Sequence, residues 1–304
     1  MPGLELCRQF YLLCGAPLIE RTFGENGRRF AAGLAGAGSD CLGFDDELSR
    51  DHDFGPGFCL WLTDEDDETF GGELRRLYSE LPRQFGGCVR NTTPQGADRV
   101  GVMRIGDFYR RYTGCRDIPE GDAAWLRIPE HLLAAAVSGE VFRDGLGEFS
   151  RIRSGLLPCY PEDVRLKKLA ARLFTMAQAG QYNYGRIMKR HDAAAAALAL
   201  SEFARAALSA VHLLNRRYMP YYKWAFRSAR RLPLLSDVVT ELDALFLPET
   251  DREALIETIC SRVSEFLKKE GLSSARDTFL IAHAEEVTLR IKSAALRNMG
   301  IMVG

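Results

Sequence analysis

Two short motifs in the stretch LAGAGSDCLGFDDELSRDHDFGPGFCLWL carry the residue types best suited to chemistry. Gly38-Ser39 is expected to close one strand, and Asp51-His52-Asp53 to open the next, twelve positions after Ser39. Alternate residues of a strand share a face, so Asp51 and Asp53 would present two carboxylates together. Like charges that close raise each other's pKa unless a cation neutralises them. A hard divalent ion fits that need, because Mg²⁺ binds through one or two carboxylates plus substrate phosphates. The Gly-Ser turn offers unhindered backbone and a hydroxyl that can approach a phosphate. His52 points to the opposite face and reads as a packing residue.

A second group lies far along the chain. GQYNYGRIMKR supplies Asn183 and Arg186. NRRYMPYYKWAFRSARR then gathers Arg216, Arg217, Lys223, Arg227, Arg230 and Arg231 among Tyr218, Tyr221, Tyr222 and Trp224. Phosphate groups at a carboxylate-held metal need further cations. Lys223 follows Pro220, where a helix restarts, and is expected to meet phosphate with Tyr222 beside it. A solvated basic face is the alternative. The acidic run DEDDE at 64–68 reads as a solvated loop, and His131, His191, His212 and His283 as helix residues.

The spacing of Ala37, Gly38, Ser39, Asp51 and Asp53 resembles the signature of the polymerase-beta-type nucleotidyltransferases. The longer string GSDCLGFDDELSRDHDFGP is similar to an uncharacterised bacterial nucleotidyltransferase-like family, and the two-part layout resembles aminoglycoside nucleotidyltransferases. The resemblance implies that Gly38 and Ser39 contact nucleotide phosphates and that Asp51 and Asp53 hold Mg²⁺. It further implies a nucleoside triphosphate (ATP foremost) as co-substrate and a hydroxyl-bearing acceptor, a small molecule rather than nucleic acid. It also implies a third acid on a later strand. RVGVMRI, where that acid belongs, has Gly101 and no carboxylate, so Asp144 is the substitute of choice ahead of Asp98, Asp107 and Glu140. The missing acid leaves open a catalytically degenerate module that binds nucleotide or a partner, and modification of a protein or RNA end is a further alternative.

The elements that would position these residues change character midway. Residues 1–157 alternate apolar strand-like runs (RFAAGLAG, FGPGFCLWL, RVGVMRI, EVFR) with helical segments, the pattern of a small mixed-sheet domain. Residues 158–304 lack strand signals, and DAAAAALALSEFARAALSAVHLLNRRY is rich in the strongest helix formers. The expected fold class is therefore α+β, a sheet domain followed by an all-helical bundle that contacts nucleotide or substrate. Further helices are expected over 234–247, 251–271 and 274–298, with Ser273 or Ser274 capping the last.

Composition bounds the rest. With 304 residues, 46% hydrophobic, 27% charged and a net charge of -1, the chain reads as a globular protein of two domains. That charge disfavours a surface built for nucleic acid. No uninterrupted apolar run of about 18 residues and no signal-peptide pattern is found, which points to the cytoplasm and away from a membrane. The eight cysteines show no Cys-x-x-Cys pair and read as reduced, mostly buried thiols. Monomer or homodimer is the expected state.

Overall fold

A computed structural model describes residues 1–50, 54–90 and 99–304. Asp51, His52, Asp53 and Asp98 lie outside the described residues. The architecture is α+β: a small mixed sheet with helices, and a helical unit. The chain divides into one compact unit of residues 1–119 and 132–157, and another of residues 120–131 and 158–304. The second unit thus takes a segment from the middle of the chain that its sequence neighbours do not share.

In the first unit, β1 (Ala31–Leu34), β2 (Cys59–Leu62), β3 (Gly101–Arg104) and β4 (Glu140–Arg143) form a sheet in the order β3-β2-β1-β4. β1 runs antiparallel to β2 and β4, and β2 runs parallel to β3. Gly33 lies opposite Cys59 on one side and Val141 on the other. Every residue of β2 is buried, where an alternating apolar pattern suggests one covered face. The reason is a core on each side. Phe58, Leu60 and Leu62 join Phe10, Phe30 and Leu74 in one cluster. Trp61 turns the other way, stacking on Phe149 at 3.8 Å and meeting Phe108 edge-on at 5.4 Å.

The acidic run 64–68 is not a loop. It is the first turn of a helix, Asp64–Ser79, whose Thr63 side chain accepts a hydrogen bond from the Asp66 amide at 3.1 Å. Carboxylates there oppose the positive end of the helix dipole. Asp66 and Asp67 are buried and paired, Asp66 with Arg29 at 2.8 Å and Asp67 with Arg104 at 2.7 Å and with Arg75.

In the second unit the Glu162–Met176 and Ala193–Leu214 helices form the centre, with Ser236–Ala244, Arg252–Lys269 and Leu280–Leu289 beyond them. Asp192 and Asp251 cap two of these through the Ala195 and Ala254 amides at 3.0 and 3.1 Å. Ala193–Leu214 is long and apolar enough to cross a bilayer, with mean hydropathy 1.4 over its best window. Phe203, Ala207, Ala210 and Val211 are fully buried, so it serves here as a core helix. The helix expected over 274–298 is interrupted: it starts at Leu280, stops at Leu289 and resumes as Ala294–Arg297. Ser273 and Ser274 do not cap it. Their hydroxyls donate instead to the Glu286 carboxylate, both at 3.0 Å.

Candidate functional site

The Gly38-Ser39 turn follows β1 but does not close it. Four residues separate Leu34 from Ser39, which opens a single helical turn, Ser39–Leu42. Gly38 has φ 154°, and a Cβ there would collide with the Arg99 guanidinium and the Asp40 carboxylate. Glycine is favoured by that backbone conformation, which side-chain-bearing residues rarely adopt. Arg99 fixes the turn from two sides: its Nε donates to the Ala37 carbonyl at 3.1 Å, and its Nη2 pairs with Asp40. Both side chains are largely buried, 17% and 9% exposed, so removing either would strand the other's charge. The Tyr112 hydroxyl accepts from the Ala37 amide at 3.3 Å, and the Ser138 hydroxyl donates to the Gly36 carbonyl at 2.7 Å. Within this frame the Ser39 hydroxyl is half-buried and makes no hydrogen bond among the described residues.

The loop after this turn is anchored by the Gly3 amide, which donates to Asp45 at 2.7 Å. Asp51 and Asp53 lie outside the described residues, and β2 starts only at Cys59, after Gly55-Pro56-Gly57. The described strand therefore does not extend to the two acids, as the alternating pattern had suggested. Among the described residues no group of three or more His, Cys, Asp or Glu could hold a metal ion. Burial pushes the Cys7 and Cys59 thiols up to about 12, so both stay protonated at neutral pH. All eight cysteines are free.

Asp144 sits just past β4, but its carboxylate is occupied. One oxygen accepts from the Gly147 amide at 2.9 Å and the other from the Ser150 amide at 2.7 Å, organising the start of the Glu148–Leu156 helix. The two backbone donors give Asp144 a turn-forming role ahead of that helix. No other carboxylate takes its place on β3, where Arg104 is bound to Asp67.

Two of the cations of 216–231 are held in separate ion pairs. Arg216 pairs with Glu162 at 2.8 Å and Arg230 with Asp243 at 2.7 Å. Lys223, exposed in the first turn of the Tyr222–Ala229 helix, lies 5.0 Å from the Trp224 ring, and Arg227 lies 5.8 Å from the same ring. Arg186 stacks over Tyr182 at 4.1 Å, and Asn183 is half-buried in the π-helical stretch Ala177–Tyr184. Of Asn183, Arg186, Tyr222 and Lys223, Tyr222 alone lines the large cavity of the helical unit.

Residues that the motifs did not single out have the larger structural part. Arg99 and Asp40 pin the turn; Asp40 directly follows Gly-Ser, but its partner lies 59 positions away. The same cavity is lined by Arg127, Lys168, Arg172 and Arg205. One signal was present: EDVRLKKLAARLF places two lysines among the apolar positions of a helix, and Lys167 and Lys168 are indeed buried.

Residues 125–225 match a family described as a domain of unknown function, DUF4037. The matched stretch contains all four of those cavity cations and Tyr222. No curated protein and no solved structure matches the chain.

Proposed function

We propose that the chain is a Mg²⁺-dependent nucleotidyltransferase of the polymerase-beta type, moving a nucleoside monophosphate from a triphosphate, ATP foremost, to a hydroxyl on a small molecule. The observation that carries this reading is the rigid turn after β1. Its Gly38 takes a backbone conformation that side-chain-bearing residues rarely adopt, and its Ser39 hydroxyl has no partner among the described residues, as a phosphate-contacting turn requires. The acceptor oxygen forms a bond to the α-phosphorus, the bond to the β-phosphate breaks, pyrophosphate leaves, and the hydroxyl proton passes to solvent. Asp51 and Asp53 are the residues that would hold Mg²⁺, which when bound neutralises phosphate charge. Ser39 and the backbone of Gly38 orient the phosphate tail, and Arg99 keeps that turn in place.

A second reading is supported by β3, which has no carboxylate to complete a catalytic triad of acids. Under it the fold binds nucleotide without turning it over.

Labelled triphosphates incubated with a small-molecule extract, with and without Mg²⁺, separate the two. Transfer of label to a small product, abolished in Asp51→Asn and in Asp53→Asn while the melting temperature holds or rises, is the expected result. Full transfer in either variant would overturn the mechanism. Nucleotide bound with no label transferred would establish the second reading.

A further inference from the structure

The helical unit contains a cavity of about 470 Å³, within the usual size range of small-molecule sites. Its charge is one-sided. Arg127, Lys168, Arg172 and Arg205 line it, against one acidic side chain among the described residues, Glu130, with Arg205 itself paired to Glu202 at 2.6 Å. That carboxylate is already committed: one oxygen accepts from the Ser209 hydroxyl at 2.5 Å and lies 3.6 Å from Arg172, and the other accepts from the Met219 amide at 3.5 Å.

The cations are built in rather than incidental. Arg172 is steadied by its Nε donation to Ser209 at 2.9 Å and by Nη2 on the Gly304 carbonyl at 3.3 Å. Lys168 is only 4% exposed, yet its ammonium, with three N–H donors, has one acceptor, the Leu126 carbonyl at 3.0 Å. The Tyr160 ring lies 4.9 Å from the same nitrogen. Burial lowers its pKa to about 8, so it remains mostly charged at neutral pH. Glu130 offsets part of that buried charge, and an anion accepting the spare N–H groups would offset more. Arg127 is exposed and makes no ion pair among the described residues. The remaining wall includes the paired rings of Tyr221 and Tyr222, 4.4 Å apart, and the apolar Pro129 and Pro220.

We propose that this cavity binds an organic monophosphate carrying a planar ring, its phosphate held by Arg127, Arg172 and Lys168 and its ring by the tyrosine pair. The site lies wholly within the helical unit. It requires neither the Gly38-Ser39 turn nor a divalent ion, and so does not rest on the nucleotidyl-transfer reading. Several arginines around one phosphate are the usual means of binding it tightly without a metal.

The test is calorimetric titration of the full chain in EDTA with adenosine 5′-monophosphate, adenosine and inorganic phosphate. Adenosine 5′-monophosphate is expected to bind at least tenfold more tightly than either of the other two. Arg127→Ala should weaken it roughly ten- to hundredfold. Arg190→Ala, which removes an exposed cation outside the cavity, should leave it unchanged. Tyr222→Ala should remove the advantage over inorganic phosphate. Arg127 is exposed, so its variant should keep the parent melting temperature. No binding at millimolar ligand would overturn the proposal. So would equal losses in Arg127→Ala and Arg190→Ala.

Discussion

Asp67 and Glu68 are neighbours of like charge that the fold treats oppositely. Asp67 is buried and bound by Arg104 and Arg75, whereas Glu68 is exposed. The run DEDDE looks uniformly solvent-seeking because net charge is all that a local window registers. The arginines that neutralise Asp66 and Asp67 are Arg29, Arg75 and Arg104, brought in by other elements or a later helical turn. Removing one partner of a buried pair leaves the other's charge uncompensated. Arg104 and Arg75 keep partial access to water, with side chains 34% and 48% exposed, which limits the penalty. Asp67→Ala is therefore expected to cost about 1–3 kcal/mol, and Glu68→Ala less than about 0.5 kcal/mol. Thermal and denaturant unfolding of both variants measures this; equal effects would mean that the buried pairing contributes nothing.

At the scale of elements, the sequence was informative wherever one residue type dominated a run. AAGL, CLWL, GVMR and EVFR are strands, and the Ala-rich segment is the longest helix described. It was less informative where an interruption depends on distant partners. The interval between Leu289 and Ala294 is held by Asp163, which accepts from the Lys292 and Ser293 amides at 3.1 and 2.7 Å. Nothing local in the segment announces that carboxylate. The Thr63–Asp66 cap, by contrast, was readable from the Thr-x-x-Asp spacing. Glycines separate by the same logic. A Cβ on Gly33 in β1 would lie 2.9 Å from the Trp61 ring and 3.0 Å from the Val141 Cα, atoms that cannot readily yield. A Cβ on Gly72, in the Asp64–Ser79 helix, would meet nothing within 4 Å. Gly33→Ala is expected to destabilise by about 1–3 kcal/mol through overpacking. Gly72→Ala should stabilise by about 0.5–1 kcal/mol through helix propensity. A stabilising Gly33→Ala would mean that β1 and its neighbours shift freely.

For the whole molecule, the net charge of -1 conceals a cavity with four cations and one acid, because those cations come from positions 127 to 205 and meet only in the folded unit. The same folding back explains why a change of texture near residue 157 is an incomplete guide to the units. Residues 120–131 belong with the helices. They supply the Leu126 carbonyl to Lys168 at 3.0 Å, the Ile128 carbonyl to the Tyr160 hydroxyl at 2.8 Å, and the Glu130 carboxylate to Ser209 at 2.5 Å. All three donor residues are at most 4% exposed. Deleting the segment leaves these donors dry and unpaired or opens the bundle to water, and it removes the buried Trp125 and Ile128 as well. Three lost buried hydrogen bonds cost about 3–9 kcal/mol, against a total stability of about 5–15 kcal/mol. A fragment of residues 158–304 is therefore expected to melt without a cooperative transition. The same fragment preceded by residues 120–131 on a flexible Gly/Ser linker should melt cooperatively, and Glu130→Ala in that linked form should lower the midpoint again. Circular dichroism melts of the three fragments decide it. A cooperative transition at the same temperature with and without residues 120–131 would show that the segment is not an integral part of the helical unit.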